Sequence, residues 1–265
     1  MHFINCHDVT LHAAHRPAAG GAPTLAFSNS LGTDLRVWEG VMRALPGELG
    51  VLRYDTRGHG LSDLAPADTA AIHAGDIAAL ADHFELDRLV VVGLSIGGVI
   101  ATKFAIDHAA RCAGLVLVCT GAKIGAREAW DERVATVRTH GIERLADTTM
   151  ERWFSHEFRE SAPEVVAGMR NMVARQPATG YAALAEMLRD ADLTGELSRI
   201  DCPAHAIAGA LDEATPPDLL RATAEAIRGA SFVAFEGCAH MVPVEAPERT
   251  AAELTRFLSR HGLHG

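Results

Sequence analysis

The sequence predicts an α/β fold: a mostly parallel central sheet with helices on both faces and an all-helical insertion. Three observations carry this. Short apolar runs alternate with longer helical patterns, and strands separated by helices pair in parallel. Between Gly121 and about Leu193 the alternation stops, and four helix-like segments follow one another with no convincing strand. At Val90–Ile100 a β-branched run passes through Gly93-Leu94-Ser95-Ile96-Gly97 straight into a helix pattern. A strand turning that sharply into a helix needs small residues on both sides of the turn, because a Cβ there meets backbone. The chain of 265 residues, 48% apolar and 22% charged, is long and apolar enough to build such a core.

Taken in order, His2–Asn5 and Val9–Ala14 read as a hairpin around Cys6-His7-Asp8, and Pro17–Pro23 as a loop. Thr24–Asn29 is a buried strand, followed by a tight turn at Ser30-Leu31-Gly32-Thr33-Asp34. Thr33 or Asp34 can cap a helix over Leu35–Leu45, stopped by Pro46-Gly47. Val51–Asp55 is a strand leading into the glycine-rich loop Thr56–Ser62, and Ile72–Phe84 an amphipathic helix. Leu89–Val92 enters the Ser95 turn, Gly98–His108 leaves it as a helix, and Leu115–Cys119 is the next strand. The helical insertion is predicted as Glu128–Thr139, Ile142–Phe154, Pro163–Arg175 and Tyr181–Asp190. Alternation resumes with strands His205–Gly209 and Ser231–Phe235 and helices Pro217–Ile227 and Pro247–Arg260. The expected organisation is a first core segment over 1–120, a helical cap over 121–193 and a second core segment over 194–265.

The formal net charge of −10, with no Lys/Arg-rich run to offset it locally, argues against nucleic acid or an anionic membrane as partner. An anionic substrate therefore needs particular Arg or Lys side chains in its pocket. The five cysteines are odd in number, contain no Cys-x-x-Cys, and fall mostly in or beside apolar strands, as small hydrophobes do in a reducing compartment. No basic-then-apolar leader and no span-length apolar stretch is present, so a cytoplasmic protein is expected. A homo-oligomer is left open.

The chemistry starts at Ser95. Its hydroxyl keeps its proton at neutral pH and needs an imidazole to take it. Fourteen histidines make residue type weak evidence, so position decides. In parallel-sheet hydrolases the base overhangs the carboxyl edge from the loop after the last strand, and His240 is the histidine there; the plain alternative is a surface-loop histidine. The acid that holds its tautomer is expected after the preceding strand, where Asp212 and Glu213 are adjacent; Asp212 lies at the usual distance, and Glu213 reads as a solvated charge. Attack on a carbonyl builds an oxyanion, and its donors are expected to be the backbone N–H groups of Ile96 and Leu31. No metal and no cofactor are expected, since the histidines lack paired ligand spacing. In the insertion, Trp130 and Arg133 are three apart on one helix face and can form a slot with an apolar wall and an anion-binding end. The plainer alternatives are packing for Trp130 and solvation for Arg133. Trp153-Phe154 can also line the cleft, with at least one of them in the core of the insertion.

Asn29-Ser30-Leu31-Gly32-Thr33-Asp34-Leu35 with Trp38, Leu52-Arg53-Tyr54-Asp55-Thr56-Arg57-Gly58-His59-Gly60-Leu61-Ser62 and the Gly-Leu-Ser-Ile-Gly-Gly turn together resemble the 3-oxoadipate enol-lactonases of the α/β-hydrolase fold. The similarity continues through Ala122-Lys123-Ile124-Gly125, Arg152-Trp153-Phe154 and Gly180-Tyr181, covering nearly the whole chain. The order Ser95, Asp212, His240 is that of this fold. The resemblance implies hydrolysis of a small anionic lactone, 3-oxoadipate enol-lactone, in the β-ketoadipate pathway of aromatic catabolism, with Arg133 the first candidate for its carboxylate. Met241-Val242-Pro243-Val244-Glu245 departs from the family and stands closer to general esterases. Other carboxylesterases and C–C bond hydrolases share the scaffold, and a non-catalytic ligand receptor is a competing class; haloalkane dehalogenases and epoxide hydrolases need Asp where this chain has Ser95.

Overall fold

The architecture comes from a computed structural model that describes residues 1–64 and 69–263. Eight strands, β1 (His2–Cys6), β2 (Val9–Arg16), β3 (Thr24–Ser28), β4 (Gly50–Tyr54), β5 (Leu89–Leu94), β6 (Cys112–Val118), β7 (Ala204–Gly209) and β8 (Ser231–Phe235), form one sheet in the order β1-β2-β4-β3-β5-β6-β7-β8. β3 to β8 are parallel; β2 runs antiparallel to both β1 and β4. The helices of the core are α1 (Glu39–Ala44), α2 (Ala70–His83) and α3 (Ile96–Asp107). The insertion comprises α4 (Arg127–His140), α5 (Glu143–Trp153), α6 (His156–Ser161), α7 (Pro163–Ala174) and α8 (Ala178–Asp190), and α9 (Pro217–Glu225), α10 (Val242–Glu245) and α11 (Pro247–Arg260) return to the core. α2 packs on α3, and α1 on α11. The expected mostly parallel, helix-covered sheet is what the chain forms.

The central strands explain their own position. Val90, Val91 and Val92 have no exposed surface, which an unbroken apolar run permits and an alternating one does not. Helix α3 starts directly after Ser95, because a Cβ on Gly93 would strike the Gly97 carbonyl and one on Gly97 the Ser28 carbonyl. The helix expected over Leu35–Leu45 is instead a 3₁₀ turn at Leu35–Trp38 followed by α1. Tertiary tethers tighten that first turn: the Leu35 N–H donates to Asp55 at 2.9 Å and the Trp38 indole N–H to Asn29 Oδ1 at 3.0 Å.

The glycine-rich loop after β4 is an anchor. Asp55 accepts from His12 Nδ1 at 2.7 Å and from the Leu61 N–H at 2.9 Å, besides Leu35. Arg57 is buried and clamps Asp76 at 2.6 and 2.7 Å. Its Nη1 reaches Asp8 at 2.9 Å.

The insertion has five helices where four were expected, because Ser155 accepts from the Phe158 N–H and starts the short α6. It leaves β6 and re-enters at β7, its neighbour in the sheet. Its two ends meet: the Leu193 N–H donates to the Ala122 carbonyl at 3.0 Å, and Lys123 pairs with Asp192 at 3.0 Å. It rests on the loop after β4, where a Cβ on Gly180 would run into the Gly58 carbonyl and where the Gly60 N–H donates to Gln176 at 2.8 Å. Among the described residues no helix is long and apolar enough to cross a membrane. All five cysteines are free thiols; Cys112 and Cys202 lie 3.6 Å apart at the sulfurs.

Candidate active site

Ser95 sits between β5 and α3 with φ 56° and ψ −121°, a conformation L-residues rarely adopt. The turn is held from below: the Ser95 N–H donates to the Val118 carbonyl at 2.9 Å, and Thr120 Oγ1 donates to the Ser95 carbonyl at 2.6 Å. Leu94 lies opposite Val118 in the β5–β6 ladder, so Ser95 and Cys119 leave the sheet as neighbours. Ile96 opens α3, and a first-turn N–H has no acceptor within its own helix. Leu31 lies across from it after β3, in a loop fixed by the Asn29 Nδ2 bond to the Tyr54 carbonyl at 2.6 Å, Thr33 Oγ1 to the Ser30 carbonyl at 2.8 Å and the Gly32 N–H to His59 Nε2 at 3.0 Å.

Asp212 and His240 come together after β7 and β8. His240 Nδ1 and Asp212 Oδ2 are 2.8 Å apart, both residues nearly fully buried. Asp212 Oδ1 also accepts the N–H groups of Ala214 and Thr215 at 2.8 and 2.9 Å, and Oδ2 the Thr215 hydroxyl at 2.8 Å. Burial pushes the Asp212 pKa up, but the neighbouring His240 ring and these hydrogen bonds outweigh it and hold the carboxyl below its ordinary value. Asp212 is therefore an anion that fixes Nδ1–H, leaving Nε2 to take a proton. The Glu213 side chain is exposed. Cys119 Sγ, an Asp212 oxygen and a His240 nitrogen lie within 4.8 Å of one another. Burial and the nearby Asp212 push the Cys119 thiol well up, so it stays protonated, and Asp212 and His240 already use their facing atoms on each other. This donor set reads as a dyad beside a buried thiol rather than a metal centre.

A cavity of about 230 Å³ opens between these loops and the insertion. Leu31, Trp130, Arg133 and Trp153, four of the predicted site residues, line it. Trp153 stands with its ring 6.2 Å from the His240 ring. Trp130 is half-buried and donates its indole N–H to the Ile124 carbonyl at 2.6 Å. Arg133 is half-buried: Nε donates to the Tyr181 hydroxyl at 2.6 Å, Nη2 to Thr149 at 3.3 Å, and the guanidinium carbon lies 5.9 Å from the Trp130 ring centre. Phe154 turns away and stacks on Phe158 inside the insertion.

Tyr181, Thr149, Arg152 and Thr215 also line the cavity and were not singled out as site residues. Arg152 and Tyr181 fall within stretches that carried the resemblance. Thr215 had a local signal, since Asp-x-x-Thr is the spacing at which a carboxylate accepts from the backbone and hydroxyl three residues on. Thr149 had none.

The sequence profile of the alpha/beta hydrolase family matches residues 20–253. A 3-oxoadipate enol-lactonase of Acinetobacter baylyi is 36% identical over 219 residues, 81% of this chain and 82% of that one. The crystal structure of an enol-lactonase from Burkholderia xenovorans superposes with a TM-score of 0.93 at 36% identity, covering 97% of this chain and 99% of that one. A thermophilic esterase from Thermogutta terrifontis, solved with malate bound, gives a TM-score of 0.89 at 28% identity over 96% and 94% of the two chains.

Proposed function

This chain belongs to the alpha/beta hydrolase family, and from that premise we propose that it is a serine hydrolase that opens 3-oxoadipate enol-lactone to 3-oxoadipate, the lactone step of the β-ketoadipate pathway. The observation that carries the reading is the Asp212–His240 pair set at the same sheet edge as the strained Ser95, in contact with Thr215 and beside Trp153, which line a cavity holding a half-buried arginine. We propose Ser95 as nucleophile, His240 as general base and Asp212 as the carboxylate that orients it, with residues 121–193 acting as the cap.

His240 takes the Ser95 proton as the hydroxyl oxygen attacks the ring carbonyl. The oxyanion forms beside the N–H groups of Ile96 and Leu31; losing one such donor typically costs about 10²–10³ in turnover. Collapse breaks the acyl–oxygen bond of the ring. The leaving group is an enolate, which needs little help from an acid and becomes a ketone on protonation. Water, activated by His240, then releases the acyl group from Ser95. Electrons stay within the carbonyl chemistry, and water is the only co-reactant. The substrate's carboxylate meets Arg133, and Tyr181, whose oxygen accepts from Arg133, can turn its own O–H toward the same anion.

Loss of ultraviolet absorbance from enzymatically generated enol-lactone tests this directly: wild type clears it and Ser95→Ala does not. A fluorophosphonate modifies Ser95 in wild type and fails in His240→Ala; a protein that never labels would support a receptor instead. The second reading, a carboxylesterase of another acid, draws on the similarity to the Thermogutta terrifontis esterase and on the Met241–Glu245 segment. A kcat/KM for a neutral aryl ester well above that for the lactone would select it.

A further inference from the structure

The loop carrying His240 is joined to the insertion at two points. The Met241 N–H donates to the Trp153 carbonyl at 3.0 Å. At the second point Glu245 spans the gap: Oε1 accepts the Ser155 N–H at 2.7 Å and Oε2 accepts the Ala239 N–H at 2.5 Å. Ala239 immediately precedes the imidazole. Ser155 lies two residues beyond Trp153, which lines the cavity and faces the His240 ring.

We propose that Glu245 is a positioning residue: its carboxylate pins the peptide before His240 to the α5–α6 junction, so that the base takes its place only when the insertion is seated on the core. The inference rests on His240 being the base for Ser95. Its two backbone partners are N–H donors and the Ser155 hydroxyl also bonds to it, so the group between the two N–H groups must accept at both ends. A carboxylate does. A carboxamide turns its NH2 on one of the two N–H groups, and a protonated carboxyl turns its O–H on one. Removing one acceptor leaves a half-buried donor unpaired and frees the loop.

Burial raises the Glu245 pKa above the ordinary carboxyl value; the Ser155 and Ala239 N–H groups oppose this, and the charge of Asp212 adds to it. Glu236 and Cys238, in the loop before His240, line the same surface cleft as Glu245. Glu157 on α6, Glu248 and Arg249 on α11 and Asp212 after β7 complete the charged surroundings. The accepting form is the deprotonated one, so the clamp is present above the raised pKa and lost as pH falls through it.

The test is the rate of fluorophosphonate labelling at Ser95, which reports alignment of the base and needs no lactone. Glu245→Gln should slow labelling and kcat together by about 10- to 100-fold, the usual cost of an ångström-scale misplacement, with KM within about twofold. In wild type the acid limb of the labelling rate should fall with a slope between one and two, because both His240 and Glu245 must be deprotonated; in Glu245→Gln it should fall with a slope of one. The wild-type slope needs no variant and so stands whether or not Glu245→Gln folds well. Labelling of Glu245→Gln at the wild-type rate, or a wild-type acid limb of unit slope, overturns the proposal. A wild type that labels with this dependence yet leaves the lactone intact supports the clamp and overturns only the substrate assignment.

Discussion

At the guanidinium of Arg133 two demands meet: the protein is acidic overall, and the proposed substrate is an anion. The Tyr181 oxygen and Thr149 hold the guanidinium at the cavity wall without neutralising it, since neither partner is charged. A charge-assisted hydrogen bond contributes about 1.5–3 kcal/mol, so Arg133→Ala should raise KM for the lactone by roughly 10- to 100-fold and leave a neutral ester nearly unchanged. Equal effects on both substrates would remove the anion site. The sharp turn at Ser95 and the meeting of Asp212 with His240 were legible in the sequence because each is marked by a local pattern at the end of a strand. Tyr181 and Thr149 were not, because they reach the cavity from helix faces, and periodicity says which residues share a face but not how that helix is turned toward the sheet. Trp130 and Arg133 were readable as a pair for the same reason, and both line the cavity.

The elements differ in how far sequence reaches them. Strands β5, β6 and β7 appear where apolar runs place them, since a strand buried on both faces shows in composition, but β5 runs on to Leu94 and β6 starts at Cys112 rather than Leu115. The Leu35–Leu45 segment breaks into a 3₁₀ turn and α1 because Asp55, twenty residues on, holds its first N–H. A local pattern carries no trace of such a bond. The same holds for Gly58 and Gly180, which look like ordinary loop glycines and prove to be the place where insertion and core touch backbone to backbone. Gly180→Ala must push the two apart, an overpacking that typically costs about 1–3 kcal/mol. The expected result is a Tm lower by several degrees and, because Tyr181 is the next residue, a higher KM for the lactone. A variant indistinguishable from wild type in both would show that the contact yields.

The whole molecule answers pH through opposing carboxyls. Asp212 titrates below its ordinary value in the fold, so the stability it contributes is present above the unfolded pKa and is lost as pH falls through the folded one. Asp190, held at about 2 by Arg189 and Arg127 on the surface of the insertion, acts in the same direction. Glu245 is raised, so its ionisation costs stability as pH rises through its window. Denaturant midpoints should therefore fall on acidification below the ordinary carboxyl range, and Glu245→Gln should flatten only the part of the profile just above it. An unchanged profile in that variant would contradict the raised pKa. At this scale the sequence revealed a mostly parallel sheet but not its strand order, which depends on the crossovers the chain takes rather than on any residue pattern.

The insertion departs and returns through one narrow neck, where Leu193 reaches back to Ala122 and Lys123 to Asp192. A module attached that way is exchangeable. A short turn joining the two sides of the neck should leave the sheet and the Ser95 turn standing, but with the His240 loop cut loose from Trp153 and Ser155. A foreign helical bundle whose ends meet at the same spacing can be grafted in its place only if it also offers a carbonyl to Met241 and an N–H to Glu245.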